Sequence, residues 1–256
     1  MSECKQAVSK KTSAKRSGSG EEMNRKPVFY GVSTGPGDPE LMTLKAVRCV
    51  ERADVLAVPR TMKRHTMALD IAVQAADIEG KELLYLDFSM SRDPHQRERE
   101  HIENAEKITA SLKAGKTTAM LAIGDVSLYS TYGYVRGVVQ KAGFPVVTIP
   151  GVNSFSAGAA AANRMLTQPD QPLTIIPEQY EDVVGALKLP GTKVLMKPGR
   201  NSAAWKQQLK NAGCLEDAAV VVNCGLEEEA CYLHAEDAPD RTGYFTLIMV
   251  NSQHAE

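Results

Sequence analysis

Short apolar runs alternate with amphipathic stretches between residues 28 and 163. The apolar runs predict strands at residues 28–32, 54–58, 82–86, 118–123 and 146–149. The stretches between and after them predict helices at residues 43–53, 67–76, 97–114, 132–142 and 154–163. Because strands and helices alternate, we expect a parallel sheet with helices on both faces. The wholly apolar run at 119–123 is typical of a strand buried on both sides.

The pattern changes at residues 167–172, where two prolines among polar residues predict a connector. Beyond it, strands are predicted at residues 173–176, 193–196, 218–222 and 245–250, and helices at residues 182–187 and 202–212. The last strand follows an acidic loop with no clear crossover helix, so we expect a mixed second sheet. The sequence therefore predicts an α/β protein with two α/β domains, residues 27–150 and residues 151–256.

The composition and charge of the chain argue against several classes of protein. The 256 residues carry a net charge of −1 and only 5% aromatic residues, which argues against a nucleic-acid partner. Residues 1–26 hold seven basic and three acidic residues and include a Ser-Gly run, so they are predicted to be a flexible basic tail. The five cysteines are irregularly spaced, which predicts neither a disulfide framework nor a zinc site and favours a cytoplasmic location. No apolar run is long enough for a membrane span or a secretory signal.

Three loops that follow strands contain the candidate chemistry. The first holds Gly35-Pro36-Gly37 and lacks the Gly-Lys-Ser/Thr of a phosphate-binding loop and the third glycine of a dinucleotide fingerprint. The second is Gly124-Asp125, directly after a buried strand, and the third is Pro150-Gly151 before an Ala-rich helix. Parallel sheets bind ligands at the carboxyl ends of their strands, which is where all three loops are expected. Each also has a purely structural interpretation: a tight turn, a helix cap at Asp125, or close helix packing.

The order and spacing of the three loops resemble those of the tetrapyrrole methylase family, which transfers methyl groups from S-adenosylmethionine. The resemblance extends from residue 28 to about residue 250. The segments 53–60 and 68–72 are similar to those of the precorrin-2 carbon-20 methyltransferases of cobalamin synthesis. Pro59 stands where the related uroporphyrinogen III methylases carry an aspartate, which argues against their reaction and leaves the general base unassigned.

The resemblance implies a class III methyltransferase fold with S-adenosylmethionine in the cleft between two domains. The chain would methylate carbon-20 of precorrin-2 or cobalt-factor II, as a homodimer, with no metal of its own and no membrane partner. The cofactor-binding residues that it implies are Pro36, Ile123, Gly124, Asp125, Leu128, Asn153, Ser154, Met196, Gly225, Phe245 and Thr246. Two alternatives stay open: a sister methylase acting at another ring carbon, and a non-catalytic S-adenosylmethionine-binding protein.

A tetrapyrrole substrate would bring acetate and propionate arms, which arginine and lysine side chains bind well. The predicted substrate-binding residues are Gly35, Gly37, Arg60, Lys63 and Arg64, beside His65. Arg92 and Arg97 are further candidates, and a solvated loop is the alternative for the whole basic cluster. The histidines have no ligand-like spacing, so no metal site is expected.

Overall fold

The structure of the protein is a computed structural model that describes residues 26–61, 66–89, 91, 93–177 and 179–251. The predicted tail of residues 1–26 lies outside the described residues except for Lys26. Within the described ranges the chain forms two five-stranded sheets, one in each half of the sequence.

The first half contains a parallel sheet. Its strands are β1 (Phe29–Ser33), β2 (Val55–Thr61), β3 (Glu82–Phe88), β4 (Thr118–Ala122) and β5 (Val146–Ile149). Its helices are α1 (Leu44–Arg52), α2 (Met67–Ala75), α3 (Pro94–Lys113) and α4 (Tyr132–Lys141). The strand order is β3-β2-β4-β1-β5, and every neighbouring pair is parallel, which confirms the predicted parallel sheet.

Neighbouring residues of one strand face opposite sides of this sheet, and both sides are buried. Leu121 of β4 packs into an apolar cluster with residues of α1 and α2. Met120, one position earlier, packs into a second cluster with residues of α3 and α4. This two-sided burial explains why β4 is apolar throughout rather than alternating.

The second half contains a mixed sheet. Its strands are β6 (Leu173–Pro177), β7 (Thr192–Met196), β8 (Ala218–Val222), β9 (Ala230–Tyr232) and β10 (Thr246–Val250). Its helices are α5 (Ser154–Ala161), α6 (Val183–Leu187) and α7 (Ser202–Ala212). The strand order is β6-β7-β10-β8-β9, with β6 and β7 parallel and the other pairs antiparallel. The expected mixed sheet is confirmed, whereas the short strand β9 was not predicted.

Helix α5 lies against the second sheet although its sequence directly follows the first. A Cβ atom at Gly158 would stand 2.5 Å from the Leu247 Cδ2 atom of β10, so a larger residue here would require the Leu247 side chain to shift. The apolar cluster on this face also takes in Leu41 and Leu128 from loops of the first half. The two sheets are therefore joined through a shared apolar layer beside the predicted loops.

Two element boundaries differ by three residues from those predicted, and the other predicted elements agree to within two residues. Helix α3 begins at Pro94 rather than residue 97, because the Asp93 side chain accepts a hydrogen bond from the His95 N–H and proline suits the first helical position. Strand β2 continues through Pro59 to Thr61. Its pairing with β4 ends at Ala57, so the missing N–H of Pro59 interrupts no hydrogen bond on that side.

Candidate functional site

The first two predicted loops are hydrogen-bonded to each other. The Thr34 N–H donates to the Ala122 carbonyl at 2.8 Å, and the Gly124 N–H donates to the Gly35 carbonyl at 2.7 Å. Gly35 and Gly124 both have positive φ angles, 74° and 71°, which glycine adopts without strain. The two turns therefore form one unit at the carboxyl ends of β1 and β4, as expected for a parallel sheet.

Asp125 and Ser33 connect this unit to the third loop. The Asp125 Oδ2 atom accepts a hydrogen bond from the Gly151 N–H at 2.8 Å. Its Oδ1 atom accepts one from the Ser127 N–H at 2.8 Å and another from the Ser127 hydroxyl. The buried Ser33 hydroxyl donates to the Ile149 carbonyl at 2.8 Å and accepts from the Val126 N–H at 2.9 Å. All three predicted loops thus meet through a combination of backbone and side-chain hydrogen bonds.

These contacts set the charge state of Asp125. Burial raises the pKa of its carboxyl group, but hydrogen bonds from the Ser127 side chain and from the Gly151 and Ser127 N–H groups outweigh burial. The net result is a pKa below the ordinary value for aspartate. Asp125 is therefore ionised at neutral pH and holds the second and third loops together.

Glycine allows close contact between chain segments at three further positions. A Cβ atom at Gly151 would stand 2.3 Å from the Ser33 Cβ atom. A Cβ atom at Gly37 would stand 2.5 Å from the Cys224 carbonyl oxygen, and one at Gly225 would stand 2.5 Å from the Asp38 nitrogen. We call Ser33, Gly37, Asp125, Gly151 and Gly225 the loop junction. At this junction the space beside the glycines is filled by protein.

Gly124 is different from the glycines of the loop junction. A Cβ atom there would meet no heavy atom of the described chain within 4 Å. Two polar side chains at the helix starts after the second and third loops, Thr131 and Asn153, also have no hydrogen-bond partner within the described residues. Gly124 itself is buried, but the side on which its Cβ atom would stand is free of protein within the described chain. That space and the two polar side chains are available to a bound molecule.

Beside the loop junction lies a cavity of about 740 Å³. The loop after β4 and the start of α4 line it with Val126, Ser127, Tyr129, Ser130, Thr131 and Tyr132. The second half of the chain lines it with Pro177, Gln179, Lys197 and Tyr244. Three cationic side chains border it, those of Arg97, Arg136 and Lys197, and we call it the cationic cavity. Its size is typical of a small-molecule or cofactor site.

Comparison with known proteins identifies the family. A model of the tetrapyrrole (corrin/porphyrin) methylases matches residues 28–237. The chain belongs to that family. It is 35% identical over 234 residues to the cobalt-precorrin-2 C(20)-methyltransferase of Salmonella typhimurium, covering 88% of this chain and 96% of that protein. It is 33% identical over 231 residues to the precorrin-2 C(20)-methyltransferase of a Sinorhizobium species, covering 87% of this chain and 94% of that protein.

A solved structure supports the same fold for this tetrapyrrole methylase. The uroporphyrin-III C-methyl transferase from Thermus thermophilus, complexed with S-adenyl homocysteine, matches with a TM-score of 0.64. The match covers 87% of this chain and 91% of that chain at 21% sequence identity. At this identity the likeness establishes the class III methyltransferase architecture of a parallel and a mixed sheet.

The predicted cofactor residues of the methylase lie around the loop junction rather than in the lining of the cationic cavity. Leu128 and Met196 pack against the apolar cluster between the sheets. Ile123 packs against the core of the first half, and the buried Thr246 hydroxyl donates to the Gly243 carbonyl at 2.7 Å. Cofactor binding by Pro36, Ile123, Gly124, Asp125, Leu128, Asn153, Ser154, Met196, Gly225, Phe245 and Thr246 stays a prediction.

The predicted substrate residues are divided between several places. Arg60 binds Asp87 with Nε 2.6 Å from Oδ1 and Nη2 3.2 Å from Oδ2, and its guanidinium lies 4.7 Å from the Tyr85 ring centre. This hydrogen bond to Asp87 raises the pKa of Arg60. Gly35 and Gly37 belong to the turns described above, and Arg97 lines the cationic cavity. Lys63, Arg64, His65 and Arg92 lie outside the described residues.

Sequence reasoning missed most side chains that line the cationic cavity. Tyr129 and Thr131 follow the Gly124-Asp125 motif closely, so the motif pointed to the right loop and not to these residues. Arg136, Lys197 and Tyr244 carry no motif at all. Tyr129 and Lys197 have positive φ angles of 48° and 55°, which no local sequence signal indicates for non-glycine residues.

The described part of the methylase contains neither a candidate metal site nor a membrane-spanning helix. No group of three or more histidine, cysteine, aspartate or glutamate residues there could hold a metal ion. None of its helices is long and apolar enough to cross a membrane.

Proposed function

We propose that this methylase transfers a methyl group from S-adenosylmethionine to carbon-20 of precorrin-2, or of its cobalt-bearing counterpart cobalt-factor II, in cobalamin biosynthesis. One observation carries the proposal: two relatives named for this reaction match nearly the full length of both chains at 33% and 35% identity. One relative is named for the cobalt form and the other for the metal-free form. Their nearly equal identities favour neither substrate.

The open part of the site fits the methyl donor. The backbone face of Gly124 has room where a side chain would otherwise stand, and the side chains of Thr131 and Asn153 offer unpaired polar groups within the described chain. These residues would hold the donor, together with the other predicted residues around the loop junction. When bound, S-adenosylmethionine supplies an electrophilic methyl group on a positively charged sulfur.

The contribution of the chain is mainly positioning. Methyl transfer is an in-line displacement, so the ring carbon must approach the methyl group opposite the sulfur at about 3–3.5 Å. The loop junction holds three loops in a fixed relation through Asp125, Ser33 and the glycine contacts. A rigid set of loops can orient two reactants without becoming covalently attached to either.

We also propose the remaining expectations from the resemblance: two domains divided near residue 150, a homodimer, and a cytoplasmic location. The packing of α5 against the second sheet supports the domain division. Sedimentation velocity at micromolar concentration is expected to show dimers. A species with the mass of one chain alone would contradict the dimer.

The test of the reaction uses S-adenosylmethionine labelled with ¹³C in the methyl group. The purified protein is incubated separately with precorrin-2, cobalt-factor II and uroporphyrinogen III, and the labelled carbon is located by NMR. We expect label on carbon-20 of precorrin-2 or cobalt-factor II and none on uroporphyrinogen III. Label on another ring carbon would instead identify a sister methylase. Binding of one donor per chain without any transfer would identify a non-catalytic protein.

A further inference from the structure

The described lining of the cationic cavity carries a net positive charge. Arg97, Arg136 and Lys197 border it, and no aspartate or glutamate is among its described lining residues. None of the three cations forms an ion pair with a carboxylate in the described parts of the chain. An uncompensated group of cations around a cavity favours an anionic ligand.

The cations come from opposite walls of the cavity. Arg97 lies on α3 and Arg136 on α4, both of which cover the first sheet. Lys197 follows directly after β7 of the second sheet. A ligand that pairs with all three must therefore carry anionic groups on different sides.

Lys197 has a fixed place in this arrangement. Its N–H donates to the Thr246 carbonyl at 3.1 Å, and its φ angle of 55° is unusual for a residue with a side chain. Its Nζ atom lies 5.3 Å from the centre of the Tyr244 ring, which also lines the cavity. Such a contact favours the ammonium group at this position. Strained backbone that directs a cation into a cavity is typical of a functional position.

The lining of the cavity also includes aromatic side chains. Tyr129 and Tyr134 line it and are 52% and 63% exposed. The Tyr134 ring stacks on His101 with 4.3 Å between ring centres, which restricts its orientation. A cavity lined by both exposed tyrosines and cations suits a flat ring with carboxylate arms.

We propose that Lys197 is a substrate-binding residue that, with Arg97 and Arg136 on the opposite wall, pairs with carboxylate arms on different sides of one macrocycle. The inference rests on the proposed function for the identity of the macrocycle. It adds to that function a reason for specificity: the cavity selects a ring with several carboxylates, and a ring without them lacks partners for the three cations.

The first test measures binding without turnover. Uroporphyrin III, which has acetate and propionate arms, is titrated into the full-length protein and followed by its fluorescence, beside its fully esterified methyl ester. We expect tight, salt-sensitive binding of the acid and at least tenfold weaker binding of the ester, because the ester retains the ring and loses the charges. Equal affinity for the acid and the ester would overturn the proposal.

The second test assigns the effect to Lys197. We expect Lys197→Gln to raise the KM for the precorrin substrate about tenfold, with a smaller change in kcat and an unchanged KM for S-adenosylmethionine. Lys197→Arg should restore most of the affinity, and Arg136→Gln should resemble Lys197→Gln. The matched control is Lys141→Gln, which removes an exposed lysine at the end of α4 and should behave as the wild type.

The outcomes separate this inference from the proposed function. Carbon-20 methylation with wild-type KM in both Lys197→Gln and Arg136→Gln would overturn the inference and leave the function standing. Charge-dependent uroporphyrin binding that is lost in Lys197→Gln, without methylation of any precorrin by the wild type, would support the inference and overturn the function. An equal KM increase in Lys141→Gln would overturn the assignment to the cavity.

Discussion

The loop junction and the cationic cavity use adjacent residues of the same loops and differ in how their polar groups are paired. In the loop junction Asp125 accepts hydrogen bonds from Ser127 and Gly151, and the Ser33 hydroxyl both donates and accepts. In the cavity Arg97, Arg136 and Lys197 face the opening without a carboxylate partner among the described lining residues. The polar groups of the loop junction are used to hold the loops together, whereas the cations of the cavity remain available to a ligand.

This difference shows that the sequence motifs mark positions where close packing of the chain restricts the residue type, not positions that face the ligand. Gly37, Asp125 and Gly151 are conspicuous in the sequence because few residue types fit where chain segments cross at such short distances. Lys197 and Arg136 are inconspicuous because neither belongs to a motif. Arg136 is an exposed position of α4, and the left-handed backbone at Lys197 leaves no signal in the local sequence. Motifs therefore located the framework of the site, and the structure was needed to find the side chains that face the cavity.

The largest effect is expected from filling the loop junction. Gly37→Ala would place a Cβ atom 2.5 Å from the Cys224 carbonyl oxygen, so one of two backbone segments must move. We expect a loss of about 3 kcal/mol in the free energy of unfolding, which corresponds to a melting temperature lower by roughly 10 °C. Differential scanning calorimetry measures the change.

Gly137→Ala is the matched control for this substitution. Gly137 lies inside α4, has no positive φ angle, and a Cβ atom there would meet nothing within 4 Å. Alanine favours helix over glycine, so we expect a gain of up to about 1 kcal/mol. If both variants melted at the same temperature, the contact between the first loop and Gly225 would not be important for stability.

The fold was more accessible to sequence reasoning than the site. The apolar runs of β4 and β8 and the alternation with helices were sufficient to predict a parallel and a mixed sheet. Strand β9 escaped because three residues with no alternating pattern give no signal. Asp125 was identified, but its hydrogen bond to Gly151 depends on how two distant strands end beside each other. The left-handed backbone at Lys197 likewise depends on tertiary contacts.

An intermediate effect is expected from Asp125→Asn. The substitution removes the charge that accepts three hydrogen bonds, so we expect a loss of about 1–3 kcal/mol at pH 7. The pKa of the Asp125 carboxyl is lowered in the folded protein. Its stabilising contribution is therefore complete above the unfolded pKa of about 3.9 and is lost as the pH falls through the lower folded value. Urea unfolding from pH 7 to pH 2 should show the wild type and Asp125→Asn converging at the acidic end.

Ser127→Ala sharpens the interpretation of this pH dependence. It keeps the carboxylate and its bond to Gly151 but removes the hydroxyl that lowers the pKa of Asp125. The acidic loss of stability should then be smaller than in the wild type and should be complete at a higher pH, because only the folded pKa of Asp125 has moved.

The affinity for S-adenosylhomocysteine shows whether Asp125 also binds the methyl donor. It is measured by calorimetry at neutral pH on folded Asp125→Asn. An affinity equal to that of the wild type would mean that Asp125 only holds the loop junction together and does not belong to the proposed donor site.

The smallest effect is expected from substituting Arg60. Its side chain is paired within the protein, as in the loop junction, and it is also a proposed substrate contact, as in the cavity. Arg60 is a proposed substrate residue, yet two of its nitrogens are held by Asp87 and it is absent from the described lining of the cationic cavity. We expect Arg60→Gln to raise the KM for the precorrin substrate only about twofold and to change the melting temperature by less than about 2 °C, because exposed ion pairs contribute little to stability. Asp87→Asn should leave the KM unchanged or lower it, since it loosens the hold on the guanidinium. A tenfold rise in Arg60→Gln, as large as that expected for Lys197→Gln, would extend the substrate site to the end of β2.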